Sequence, residues 1–162
     1  MRKYSRFSVF LWTLVVSAAA SQGQQLTVQA EPGKPVVLNR ADLEALPHVR
    51  VNAADHGAAR VEFEGVSLKS VLEKGGVSFA ESMKGKKLAT CLLVEAADGY
   101  RVVIALPEVD PAFTDKQIVV AFLRDGKPLA EKEGPYRLVI PDEKRMARWV
   151  RQVTTLRIVD VQ

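Results

Sequence analysis

The chain has 162 residues and a formal net charge of +4, from 23 basic and 19 acidic side chains, with one cysteine and two histidines. A single cysteine excludes an internal disulfide, and one cysteine with two histidines falls short of a structural zinc site built from thiolates and imidazoles. Three of the basic residues, Arg2, Lys3 and Arg6, precede an apolar run. The rest of the chain therefore sets 20 basic against 19 acidic residues, which excludes a general nucleic-acid footprint.

Those N-terminal residues set the first expectation. A basic stretch, an apolar run from Phe7 to Ala20 and the small residues Ser17 to Ala20 make the three parts of a secretory signal. The run is about 14 residues, against the roughly 20 that a membrane-spanning helix needs. The reading is a signal peptide over residues 1–20, with an uncleaved anchor as the alternative, and a periplasmic or secreted protein. No cysteine follows the run, which argues against a lipid anchor. Residues 21–34 read as a leader and first strand, and residues 35–161 as one domain.

Leu26 to Ala30 and Val36 to Asn39 read as short strands around a Pro-Gly-Lys-Pro turn. Asn39 is placed to cap a short helix carrying Leu43 and Leu46, ended by Pro47. Val49 and Val51 alternate with polar residues, as do Val61 to Glu64, so half-buried strands are expected on either side of a turn at Asp55-His56-Gly57. Ser67 caps a second helix with Leu68, Val71 and Leu72 on one face, stopped by Gly75-Gly76. Lys87 to Ala96 is an apolar run of strand length. With Asp98-Gly99 and Arg101 to Leu106 it predicts a hairpin. Pro107 to Phe113 reads as irregular or helical. Ile118 to Leu123 and Tyr136 to Ile140 follow as strands, Lys144 to Trp149 as one helical turn, and Val153 to Val161 as a last strand. The sum is an α+β, strand-rich domain with short helices.

The chain has no C-x-x-C pair, no G-x-S-x-G and no phosphate-cradling glycine loop. Its residues alone name no reaction. Cys91 has apolar neighbours on both sides in sequence, which predicts a small buried hydrophobe rather than a reactive thiol. His56, with Arg60 close by, reads either as a solvated loop histidine or as part of a pocket lining. Arg137, Lys144, Arg145, Arg148 and Arg151 form a basic cluster. On a helical turn Lys144 and Arg148 share a face, and such a set either holds a phosphate or carboxylate through forked hydrogen bonds or is a solvated patch. Trp149 reads as a core anchor.

Five segments in order carry a resemblance. They are Phe63-Glu64-Gly65-Val66-Ser67-Leu68, Ala97-Asp98-Gly99-Tyr100, Asp125-Gly126-Lys127-Pro128-Leu129, Gly134-Pro135-Tyr136-Arg137-Leu138-Val139-Ile140-Pro141 and Ala147-Arg148-Trp149-Val150. Together they resemble the oxidoreductase molybdopterin-binding domain, the central domain of the sulfite oxidase family, over roughly residues 35 to 161. The resemblance implies a sulfite oxidase-like fold, and a pterin held by backbone and basic side chains with its metal on one protein cysteine. It also implies that this cysteine lies on the strand before Phe63-Glu64-Gly65-Val66. The comparable stretch here, Val49 to Ala54, has none, and Cys91 falls elsewhere. Loaded enzymes of this kind usually leave the cytoplasm folded, by the twin-arginine route, whereas Ser5-Arg6-Phe7 holds a single arginine.

The expected function is therefore an exported homologue acting as a ligand- or partner-binding module. The alternative is a molybdopterin-dependent oxidoreductase with an atypical ligand set or a partner subunit, and a structural subunit of a periplasmic complex is a third reading. Whether it is an enzyme stays open. No cofactor is expected, molybdopterin being possible through the resemblance, and no metal site is expected. The expected partner is a small anionic ligand or a periplasmic protein, with membrane contact only through the signal before cleavage. Ligand contacts are expected from His56, Arg60, Asp98, Tyr100, Arg137, Lys144, Arg145 and Arg148.

Overall fold

A computed structural model describes residues 25–30, 33–55, 60–79 and 83–161. The signal-peptide expectation lies outside them. Two five-stranded sheets make up the fold. Strands β1 (Leu26–Gln29) and β2 (Val36–Leu38) pair antiparallel, and β1 also runs parallel to the last strand, β10 (Val153–Asp160), with Thr27 opposite Thr155. β10 then pairs with β5 (Thr90–Ala96), which forms a hairpin with β6 (Arg101–Ala105). The first sheet thus has the order β2-β1-β10-β5-β6. β1 is therefore bonded on both sides, to β2 and to β10.

The second sheet is built on β3 (His48–Ala54), β4 (Arg60–Ser67) and β7 (Val119–Arg124), all antiparallel neighbours. The free side of β7 is shared. β9 (Arg137–Val139) pairs with its first half, and β8 (Lys127–Pro128) folds back on its last two residues. Asp125 and Gly126 make that fold-back with φ of 49° and 72°, the left-handed pair that a tight Asp-Gly hairpin requires.

The two α-helices among the described residues form where their caps dictate. In α1 (Arg40–Glu44) the Asn39 side chain accepts from the Asp42 amide at 3.0 Å, and Asp42 accepts from the Asn39 amide at 2.8 Å. In α2 (Leu68–Lys74) Ser67 accepts from the Ser70 amide at 3.0 Å, and Leu68, Val71 and Leu72 are buried. These join Val28, Leu92, Val94, Ile104, Leu156, Phe63 and Val119–Phe122 in a single core. Full burial stabilises each large apolar side chain by about 1.5–3 kcal/mol.

Two expected elements change form. Lys87 to Ala89 belongs to a 3-10 turn, Gly85–Ala89, and the strand begins only at Thr90. Alternation explains this, because buried residues recur at every second position only from Thr90 onward. Lys144 to Trp149 is likewise not an α-turn but a 3-10 turn, Met146–Arg148, so the shared face of Lys144 and Arg148 does not form.

Candidate functional site

The most heavily charged interior point lies where β3 ends and β9 begins. Arg137 is 1% exposed. Its Nη1 and Nη2 donate to the two carboxylate oxygens of Asp55 at 3.1 and 3.0 Å, and Nη1 also reaches Glu133 at 3.0 Å. Arg124, at the end of β7, donates from Nη1 to Asp55 at 2.8 Å and to Glu133 at 3.0 Å. Both guanidiniums lie over the Phe63 ring, at 5.2 and 5.6 Å, and Arg137 also lies 5.5 Å from Trp149. Two cations and two carboxylates thus close on one another, with the fork geometry that a guanidinium offers a carboxylate. The buried Nε of Arg137 has no hydrogen-bond partner among the described residues.

This arrangement corrects one expectation. Arg137 is not open to an anionic ligand, because its own chain supplies the anions. Arg148 is similar. It donates to both oxygens of Glu108 at 3.3 Å and to Glu143, while Lys116 reaches Glu108 at 2.6 Å. Partial burial pushes the Glu108 carboxyl up, but the hydrogen bonds from Lys116 and Arg148 outweigh it and hold it below the usual range. Burial alone would lower the Arg148 guanidinium, and Glu108 and Glu143 together raise it.

Other expected site residues fall in several places. Tyr100 donates its hydroxyl to the Ala147 carbonyl at 2.6 Å, and Asp98 accepts from the Tyr100 amide at 2.9 Å. The β5–β6 hairpin tip therefore touches the turn that carries Arg148. Lys144 and Arg145 precede that turn and are exposed. Arg60 is exposed at the start of β4, opposite Ala54. His56 lies outside the described residues. The seven described residues are spread over β4, the β5–β6 hairpin tip, β9 and the turn that carries Arg148.

The cations converge elsewhere. A cleft of about 610 Å³ beside the β7–β8 hairpin is lined by Arg124, Asp125, Lys127, Lys132, Glu133 and Arg151. Both described hydrogen bonds of Arg124 come from Nη1. Lys127 and Lys132 are exposed and pair with no carboxylate among the described residues. Sequence reading passed over this cleft, although Asp125-Gly126 is the hairpin signal that folds Lys127 back toward Arg124.

Cys91 corrects a further expectation. It is half-buried, between Val159 and Ala105 on the face of the first sheet turned from the core, while Thr90, Leu92, Val94 and Ala96 face inward. Apolar neighbours in sequence made both faces look covered, but only one is. Trp149, in contrast, is a core anchor, 5% exposed and donating to the Ile140 carbonyl at 3.0 Å.

The two sheets, the first with parallel β1 and β10 at its centre, carry short helices among the described residues and define a sulfite oxidase-like molybdopterin-domain fold. The chain belongs to the oxidoreductase molybdopterin binding domain family, whose profile matches residues 14–162. Among solved structures it is similar to the sulfane dehydrogenase SoxCD from Paracoccus pantotrophus, with a TM-score of 0.65 and 23% identity. That likeness is one of fold. It covers 85% of this chain but 38% of the SoxCD chain, so this chain spans well under half of its neighbour. No curated protein matches the chain.

The family implies a pterin-bound metal, and the residues present do not fit a thiolate-held one. The chain's single cysteine lies on the outer face of the first sheet, whereas β3, the strand the resemblance points to, belongs to the second. Among the described residues no group of three or more His, Cys, Asp or Glu side chains is placed to hold a metal. The carboxylate at the end of β3, Asp55, is clamped by Arg137 and Arg124.

Proposed function

We propose that this chain is an exported binding module built on the molybdopterin-domain fold, working without a thiolate-bound metal. Export rests on the N-terminal pattern of basic, apolar and small residues, and gives a periplasmic or secreted protein. The observation that carries the binding role is the division of the cations. Those in the interior are matched by the chain's own carboxylates, whereas Lys127 and Lys132 at the β7–β8 cleft are exposed and pair with no carboxylate among the described residues. An anion entering the cleft would meet Lys127 and Lys132 beside Arg124. A phosphate-bearing or carboxylate ligand suits this set, because each cation there supplies a charged donor.

Calorimetry with inorganic pyrophosphate tests the reading. Binding is expected for the wild-type protein and is expected to weaken as salt rises, since the cleft is open. Lys127→Ala with Lys132→Ala should weaken it by about 5- to 10-fold, the effect of two exposed charges. Arg148→Ala should leave it unchanged, because Arg148 already serves Glu108 and Glu143. Equal binding by wild type and the lysine variant, or none by either, would rule the cleft out as the ligand site.

A further inference from the structure

The 3-10 turn Gly85–Ala89 presents a surface that the cleft does not use. Lys84, Lys86 and Lys87 are exposed, and none pairs with a carboxylate among the described residues. Beside them Leu88 is 45% exposed and Phe113 51% exposed. These two border a cleft of about 490 Å³ whose lining includes Phe79, Met83 and Ala112. On the other side of the turn Lys86 and Lys87 share a second concavity with Asp160 and with Val161, which is 62% exposed. Apolar side chains and unmatched lysines therefore occur together at one end of the first sheet, where β5 begins and β10 ends.

Among the described residues, two acidic side chains lie near this surface, and neither forms an ion pair with its lysines. Asp160 accepts from the Thr90 hydroxyl at 2.6 Å, and Asp110 is buried and accepts from the Ala112 amide at 3.0 Å. Asp110 thus serves the fold, and Asp160 leaves the three lysines in excess over the one exposed carboxylate among them. Exposed apolar side chains flanked by cations are costly in plain water and mark a place where something docks.

We propose that this end of the domain docks on an anionic lipid surface. Lysine decides between lipid and protein here. Protein interfaces are depleted in lysine and favour arginine, whose fork matches a fixed partner. A lysine is a mobile point charge on a flexible apolar stem, which suits a fluid layer of headgroups while the stem lies along apolar material. Leu88 and Phe113 are the side chains that enter the boundary between headgroups and acyl chains, and the lysines take the headgroup phosphates. The contact is made by the folded domain, separately from any contact made by an N-terminal signal.

Co-sedimentation with vesicles tests the proposal on protein recovered as its host exports it. The probes are vesicles of phosphatidylglycerol mixed with phosphatidylcholine, and of phosphatidylcholine alone. Wild type is compared with Lys84→Gln/Lys86→Gln/Lys87→Gln and with Leu88→Ser/Phe113→Ser. All five positions are exposed, so circular dichroism should be the same for the three proteins. Any apolar N-terminal segment is common to them, which makes the difference between proteins the reading. The lysine variant is expected to bind phosphatidylglycerol vesicles about 100-fold more weakly, for three surface lysines. The Leu88/Phe113 variant should also bind more weakly but keep the salt dependence. Equal binding by wild type and the lysine variant would overturn the proposal. So would a photo-crosslinker at position 86 that captures one host protein while vesicle binding is absent.

Discussion

Replacing Arg137 with alanine is expected to cost about 3–5 kcal/mol of folding stability. The guanidinium is 1% exposed and answers the carboxylates of Asp55 and Glu133. Removing it leaves Asp55, itself 5% exposed, with Arg124 in the cluster and with a void beside Phe63 and Trp149. The loss is a large part of the roughly 5–15 kcal/mol that holds a domain folded. Urea unfolding reads it as a lower midpoint. The paired change Arg137→Met/Asp55→Leu should cost less than the two single changes added together, because it removes both buried charges. A loss below about 1 kcal/mol for Arg137→Ala would mean that the pair behaves as a solvated surface bridge.

Gly65→Ala is expected to rank beside it. A Cβ at Gly65 would lie 2.1 Å from the Val120 carbonyl oxygen and 2.6 Å from the Ala121 Cα. Both atoms are backbone of β7, so no side chain can swing away. The register of β4 against β7 already shifts between Glu64 and Gly65. Admitting one methyl group means separating two central strands. Overpacking usually costs about 1–3 kcal/mol, and a backbone obstacle puts this case at or above the upper end. Thermal unfolding or the yield of soluble protein reads the effect. A variant within about 0.5 kcal/mol of wild type, the range of ordinary surface changes, would show that the strands part easily.

Much of the fold was legible because its signals are local. Asn39 with Asp42, Ser67 before Leu68, and Asp98-Gly99 between two apolar runs each act within a few residues, and the elements formed where those residues stand. The ordered segments from Phe63 to Val150 carried the family resemblance, and with it the arrangement of sheets that local signals do not specify. The candidate site was far less legible. Arg137 and Asp55 are 82 positions apart, and nothing in the sequence around either names the other. A cluster of cations in sequence therefore looked like an anion site, although Arg137 and Arg148 each turn to a distant carboxylate. Cys91 failed for a related reason. Its neighbours are apolar, but a strand shows alternate residues to opposite faces, and the outer face is only half covered.

On the function proposed above, the molybdopterin-domain fold is kept here without a metal held on a protein thiolate. Metal and pterin analysis of the protein purified from its own host after export tests this most directly. Negligible molybdenum per chain is the predicted result. Molybdenum in stoichiometric amount, lost when Cys91 is replaced by serine, would contradict it and would make the chain a metal-bearing oxidoreductase with an atypical ligand position.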